Sequence, residues 1–265
     1  MIRAAVTGAC GRMGTLIIRN IFAAHDMELS AAFDIANIGM DVGEAIGSGQ
    51  LGVAVYDPDD MEKVIKDSGT QVVIDFTIAT ASAVNVVRAA SAGANMVVGT
   101  TGFNEAQMRQ MRQAINDNGV AAVISPNFAV GVNVFWELLK EAAGKLDGFD
   151  VEIMEVHHNK KKDAPSGTAV KAAQVINDVL GGREYVYGRQ GIASRGDEIG
   201  IHAVRGGDVV GDHTVMFFGD GERIEVRHQA HSRQAFARGA VMAAGWVMRQ
   251  PAGVYGMADV LGLGK

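Results

Sequence analysis

The chain is predicted to be an α/β protein: a doubly wound parallel sheet, followed by a second α+β domain built on a mostly antiparallel sheet. Three observations carry that expectation. The first half alternates short apolar runs with helical patterns, the rhythm of repeated βαβ units. Its strand-like runs are almost continuously apolar, as parallel strands buried on both faces must be. After Asn133 longer runs appear, separated by Gly-Gly-Asp and Gly-Asp-Gly-Glu turns, which are hairpin punctuation.

In order, Ile2 to Thr7 reads as a buried strand running into G-A-C-G-R-M-G, with Gly8, Gly11 and Gly14. Met13, Leu16, Ile17, Ile21 and Phe22 then mark a helix, and Glu28 to Phe33 a second strand ending at Asp34. Strand, glycine turn, helix, strand and acid is the dinucleotide-binding arrangement: glycines let a pyrophosphate approach the helix N-terminus, and the acid accepts from the ribose. The spacing is GxxGxxG, so the turn alone specifies little beyond a helix packed closely on a strand. Cys10 sits inside it as a small side chain; no base lies nearby in sequence to make it a reactive thiol.

The rhythm continues with a strand at 53–56, a helix opened by Asp57 and Pro58, and the strand 72–76 ending in D-F-T. A helix at 81–92 leads to the strand 96–99 and G-T-T-G-F; a helix at 105–118 leads to the strand 121–125 and P-N-F. Ligands of open α/β sheets bind beyond the C-terminal ends of strands, so all three strand-end turns are candidate cofactor loops. A helix to about 143 and a strand at 151–156 follow, delivering His157 and His158. The segment from Gly182 to Gly200 reads as a long polar loop, and three strand-like runs (201–205, 209–218, 223–230) read as joined by hairpins. A helix at 235–248 closes the pattern, with an apolar face for packing against a domain.

Glu155 to Thr168, E-V-H-H-N-K-K-K-D-A-P-S-G-T, is the stretch richest in chemistry. Free N–H groups at a helix N-terminus favour anions, and Ser166, Gly167 and Thr168 stand there behind two histidines and three lysines. The same letters also suit a solvated lysine loop before an ordinary helix start.

At 265 residues, 48% hydrophobic and 20% charged, the composition is that of a soluble globular protein with a sizeable core. A net charge of −6 gives no footprint for nucleic acid or an anionic membrane. No apolar run approaches the ~20 residues that span a bilayer. M-I-R-A-A-V-T-G lacks the features of a secretory signal. The single cysteine excludes an intrachain disulfide and fits a reducing, cytoplasmic location. No carboxylate–histidine spacing supports a closed zinc site, so no metal is expected.

Taken in order, G-A-C-G-R-M-G, D-F-T, G-T-T-G-F, N-F-A-V-G-V-N and E-V-H-H-N-K-K-K-D-A-P-S-G-T-A closely resemble the 4-hydroxy-tetrahydrodipicolinate (dihydrodipicolinate) reductases of lysine and diaminopimelate biosynthesis. The similarity runs from Ile2 to the terminal D-V-L-G-L. It implies a Rossmann-type dinucleotide-binding domain (1–127 with 235–265), a substrate-binding and oligomerisation domain (128–234), and a homotetramer. It also implies NAD(P)H-dependent reduction of a small dicarboxylate. His157 and Lys161 match the proton donors, and His158, Ser166, Gly167 and Thr168 the substrate site. On the cofactor side the matches are Gly8, Ala9, Cys10, Gly11, Arg12, Met13, Asp34, Gly99, Thr100, Thr101, Ser125, Pro126, Asn127 and Phe128. Many relatives carry an arginine after the acid of the second strand and a cation after D-F-T; here these positions are Ile35 and Ile78. Their loss favours NADH over NADPH, with Arg12 left as the cation for a 2′-phosphate. The competing enzyme reading is another nicotinamide-dependent imine or sugar oxidoreductase, and a further reading is a dinucleotide sensor without turnover.

Overall fold

The computed structural model describes residues 1–263. The chain forms two compact units, Met1–Ala129 with Gln234–Leu263, and Val130–Arg233. Residues 264 and 265, within the expected first-domain span, lie outside the described residues.

The first unit is built on β1 (Ile2–Thr7), β2 (Met27–Phe33), β3 (Val55–Tyr56), β4 (Val72–Asp75), β5 (Asn95–Val98) and β6 (Ala121–Ile124). Its helices are α1 (Arg12–Ala23), the short α2 (Val42–Ala45), α3 (Met61–Ser68), α4 (Ala79–Ser91) and α5 (Glu105–Asp117). The later segment adds α8 (Gln234–Val247), β12 (Gly253–Tyr255) and α9 (Met257–Leu261). All seven strands are parallel, in the order β12-β6-β5-β4-β1-β2-β3.

Strand alternation divides the core between two faces. Ala4 and Val6 join Ile17, Ile18 and Ile21 of α1 and Ala240, Ala244 and Val247 of α8. Ala5 joins Ile65 of α3, Val86 of α4 and Met111 of α5. The sheet is therefore doubly wound, and the helix read at 235–248 packs on it. Small residues bring α8 close: a Cβ at Gly239 would fall 1.7 Å from the Phe128 carbonyl oxygen. The helix opened by Asp57 and Pro58 begins as a 3₁₀ turn, Pro58–Asp60, capped by the Asp57 carboxylate. Neither β12 nor α9 was read from the sequence; each is five residues or fewer, too short for a period to register.

The second unit contains α6 (Val130–Ala143), β7 (Asp150–His157), α7 (Gly167–Leu180), β8 (Tyr185–Tyr187), β9 (Ile199–Arg205), β10 (Gly211–Gly219) and β11 (Glu222–Ala230). Its sheet runs β11-β10-β7-β9-β8. The pairings of β10 with β11 and with β7 are antiparallel, and those of β9 with β7 and with β8 are parallel. Val151, Ile153, Ile199, Ile201, Val215 and Phe217 are buried on the inward face, as are Trp136 and Leu139 of α6 and Ala172 and Ile176 of α7.

Two expectations are corrected. Gly-Gly-Asp does not turn a hairpin, because β7 lies between β9 and β10. The backbone of that turn bonds to the end of β7 and the residues after it: Gly206 N–H to the His157 carbonyl (2.9 Å), Asn159 N–H to the Gly207 carbonyl (3.1 Å) and His158 N–H to the Val209 carbonyl (2.8 Å). The polar stretch before Gly200 is not wholly loop, since it contains β8 and the start of β9; a three-residue edge strand leaves no periodic trace.

Candidate active site

In the first unit the glycine turn joins β1 to α1 at the C-terminal ends of the central strands. Gly8 takes φ +67°, a conformation that disfavours a side chain. A Cβ at Gly14 would lie 2.1 Å from the Gly8 carbonyl oxygen and 2.7 Å from the Ala9 Cα, so the helix seats directly on the turn. Gly11 is the N-cap and offers no side-chain cap, leaving the first N–H groups of α1 open to an anion. Arg12 is exposed in the first turn, while Met13 packs on the core.

Asp34 closes this end. Its carboxylate accepts from the Cys10 N–H (2.9 Å) and the Ala36 N–H (3.1 Å), tying the end of β2 to the turn. An open cleft of about 730 Å³ adjoins it, lined by Gly8, Asp34, Ile35, Thr77, Ile78 and Arg88 among others. Ile35 and Ile78 are well exposed, at 87% and 68%. Arg88, the cation of this lining, is bound to Asp59 (2.8 Å) and to the Pro58 carbonyl (2.9 Å).

The loops beyond β4, β5 and β6 complete the surface. Buried Asp75 accepts from the hydroxyls of Thr7 (2.6 Å), Thr77 (2.9 Å) and Thr100 (3.0 Å), and from the amides of Asn85 (2.8 Å) and Thr77 (3.2 Å). One carboxylate thereby gathers three strand ends and the α4 helix, and Thr100 enters the site as its partner. Gly99 is glycine because a Cβ would collide with the Phe76 ring at 2.2 Å. Thr101 and Pro126 are exposed. The Ser125 hydroxyl donates to the Asn127 carbonyl (2.9 Å), and Asn127 accepts from the Ala129 N–H (2.9 Å). Phe128 is buried against Phe76, with ring centroids 5.6 Å apart. Glycine cradle, uncapped helix and strand-end acid fit a dinucleotide: the N–H groups of α1 would hold its pyrophosphate and Asp34 its ribose.

In the second unit the chemistry collects at the end of β7. Glu155 is fully buried. Its Oε2 lies 2.6 Å from His157 Nδ1. The Arg205 guanidinium donates to both carboxylate oxygens at 2.7 Å, and the Ser166 N–H donates to Oε1 at 2.9 Å. Burial works against the charge, but these donors more than offset it and hold the Glu155 carboxyl down at about 2.

His157 is nearly buried and packs edge-on against His213, with centroids 5.2 Å apart. Among the described residues the Nε2 of His157 has no hydrogen-bond partner; a Cβ at Gly211 would come within 2.9 Å of it. His213 Nε2 meets the Ser166 hydroxyl at 2.9 Å. Burial, reinforced by the neighbouring His157, pushes the His213 imidazole down to about 3.

Ser166 is the N-cap of α7 and accepts from the Ala169 N–H (3.2 Å). It is buried, so it shapes the helix N-terminus from beneath, whereas Gly167 is exposed and Thr168 half-buried at its surface. The Lys161 ammonium is held by Asp163 at 2.9 and 3.0 Å, while Lys160 and Lys162 are exposed. His158 follows His157 with its N–H bonded to Val209. Sequence reading gives no individual role to Glu155, Arg205, His213 or Asp75, although Glu155 opens the 155–168 stretch and Asp75 the D-F-T turn. Only Glu155 left a local signal, being two residues from His157 and so on the same face of a strand. Among the described residues no cluster of three or more His, Cys, Asp or Glu is placed to hold a metal ion, and no helix is long and apolar enough to cross a membrane.

Comparison with known proteins bears on both sites. The family model described as dihydrodipicolinate reductase, N-terminus, matches residues 2–128, and that described as dihydrodipicolinate reductase, C-terminus, matches 131–261. The chain belongs to the dihydrodipicolinate reductase family. It is an oxidoreductase of that nicotinamide-dependent family, which carries an NAD(P)-binding domain. A 4-hydroxy-tetrahydrodipicolinate reductase of Methanosarcina mazei is 59% identical over 263 residues, covering 99% of this chain and all of the relative. That of Methanocaldococcus jannaschii is 51% identical, covering 100% and 99%. A solved dihydrodipicolinate reductase from Paenisporosarcina sp. TG-14, with dipicolinate bound, superposes with a TM-score of 0.79 at 29% identity, covering 98% of each chain.

Proposed function

We propose that this chain carries out its family's reaction, the NAD(P)H-dependent reduction of 4-hydroxy-tetrahydrodipicolinate to tetrahydrodipicolinate with loss of water, in lysine and diaminopimelate biosynthesis. The observation that carries the assignment of roles is the convergence on Glu155 of His157, the N-terminus of α7 and, through Arg205, the Lys161 loop. The dipicolinate bound in the Paenisporosarcina relative is a planar dicarboxylate, the class of ligand such a cluster suits.

In this reading the N-terminus of α7 at Gly167 and Thr168 takes one carboxylate, with His158 alongside. A dihydronicotinamide, when bound, would supply the hydride. Loss of the 4-hydroxyl with a ring proton as water would leave a C=C–C=N system; the hydride adds at one end and one proton neutralises the single negative charge that results, with Lys161 the donor and His157 the group that gives and takes protons alongside it. An imidazole suits that role because one ring nitrogen can take up or release a proton while the other keeps its hydrogen bond. The Lys161 ammonium attracts the dicarboxylate as well as donating; release from Asp163 is the step that frees it.

NADH is the preferred cofactor and NADPH the second. Asp34 repels a 2′-phosphate, Ile35 and Ile78 offer it no charge, and Arg88 is already bound to Asp59. Arg12 is the remaining cation for it. The first unit is the dinucleotide-binding domain and the second the substrate domain. The second also assembles a cytoplasmic homotetramer through the sheet face turned away from α6 and α7, where Met154 and Val204 stay exposed.

The test is turnover with substrate generated in place by the upstream synthase, following oxidation of each cofactor. His157→Ala and Lys161→Ala should each lower kcat by roughly 10²–10⁴-fold. Wild-type turnover in both variants would remove these roles, and equal or better kcat/KM with NADPH would refute the cofactor preference.

A further inference from the structure

The reaction as outlined uses His157 and Lys161 but leaves the charged group beneath them without a role. Glu155 is fully buried, and every one of its acceptor directions meets a donor: Oε1 receives Arg205 and Ser166, and Oε2 receives Arg205 and His157. Such complete satisfaction fixes geometry, because no alternative arrangement of this carboxylate keeps all four bonds. The arrangement follows from strand register. His157 stands opposite Arg205 across the parallel β7–β9 pairing, and Glu155 stands opposite His213 across the antiparallel β7–β10 pairing.

We infer that Glu155 is the positioning residue of this active site: it fixes the His157 ring with the proton on Nδ1 and Nε2 presented for chemistry, and links that ring to the α7 N-terminus and the Lys161 loop. The first link is direct, since a carboxylate accepts and never donates, so His157 Nδ1 must carry hydrogen in every protonation state. The second runs through the Ser166 N–H at the start of α7. The third runs through Arg205, which bonds Glu155 and also donates to the Asp163 carbonyl (2.7 Å); Asp163 in turn holds the Lys161 ammonium. A single carboxylate thus sets the proton donor, the anion cradle and the lysine loop together. The inference rests on the catalytic reading of His157 given above.

Glu155→Gln keeps shape and removes charge. Its amide must turn one NH₂ toward a donor. Keeping the oxygen at the Oε1 position retains both Ser166 and Arg205, so the NH₂ faces His157, which must then accept on Nδ1 and carry its proton on Nε2. The expected result is therefore a tautomer inversion. It is read by ¹⁵N NMR of histidine-labelled protein, titrated to alkaline pH until the His157 signals stop shifting, with those signals assigned by their loss in His157→Ala. Steady-state kinetics on the same variant should show kcat lower by about 10²-fold or more, with KM for NADH within about twofold of wild type.

If Glu155→Gln does not fold, the wild-type spectrum alone decides: neutral His157 protonated on Nε2 would overturn the inference. So would a folded Glu155→Gln enzyme with wild-type tautomer or wild-type kcat. An inactive His157→Ala beside a fully active Glu155→Gln removes this inference alone, whereas a fully active His157→Ala removes the catalytic reading and the inference with it.

Discussion

Replacing His213 by glutamine should flatten the acid side of the second unit's stability curve. His213 is 4% exposed and is faced by His157, Glu155, His228, Asp212 and the Ser166 hydroxyl. Its folded value is about 3 against an ordinary 6.5, with burial the larger cause and the His157 charge the next. Because the folded value is depressed, the unfolded chain binds the extra proton between these limits. The stabilisation is fully present above pH 6.5 and is lost as pH falls toward 3. Integrated from pH 7 to pH 5, this one group costs about 2 kcal/mol, approaching about 5 kcal/mol in the acid limit. Glu155, held down at about 2, shares the sign but loses its contribution only below about pH 4.5, so it does not contaminate that interval. His228 is also depressed by burial and leaves a residual slope of the same sign. The chain has two tryptophans, Trp136 in the second unit and Trp246 in the first. Full-length Trp246→Phe therefore reports unfolding of the second unit through buried Trp136, which donates to the Thr168 carbonyl. Urea titrations at pH 7, 6 and 5 should show a loss of about 2 kcal/mol in that background and well under half of it once His213→Gln is added. A wild-type curve flat between pH 7 and 5, or an undiminished slope in the variant, would refute the reasoning.

Two further outcomes concern the dinucleotide end. Gly14→Ala drives a methyl to 2.1 Å from the Gly8 carbonyl, so thermal unfolding should register about 1–3 kcal/mol of overpacking and NADH titration a weaker Kd; unchanged values for both would show that the turn does not seat the helix as described. Ile35→Arg places a cation beside the cleft lined by Asp34. The NADPH-to-NADH ratio of kcat/KM should then rise by about tenfold, as one added charge–phosphate contact worth about 1.4 kcal/mol requires, and an unchanged ratio would separate this position from the 2′-phosphate.

What the sequence disclosed depended on how far apart the cooperating residues lie along the chain. Gly8, Gly11, Gly14 and Asp34 belong to one βαβ unit, and their order alone fixes a turn, a helix start and a strand end. His157, Lys161 and Ser166–Thr168 likewise fall on one strand end, its loop and the next helix start, so their convergence needs no long-range pairing. Asp75 shows in the sequence only as the acid of the D-F-T turn, because its five donors come from Thr7, Thr77, Asn85 and Thr100; such a hub exists only once the strands are laid side by side. Arg205 and His213 show the same limit in a sharper form. Each meets the Glu155–His157 pair through strand register, on opposite sides of β7. Reading Gly-Gly-Asp as a hairpin places β9 against β10 and leaves β7 outside, which separates Arg205 from Glu155 altogether. The turn chemistry was ambiguous, because a glycine pair serves a strand-to-strand crossover as readily as a tight hairpin. The inserted β7 was decided instead by backbone bonds from Gly206 and Gly207 to the His157–Asn159 segment. The same crossover that defeats the local reading is thus what brings a guanidinium to the Glu155–His157 pair, and a charged carboxylate can remain buried beside His157 only because that crossover delivers its counter-ion.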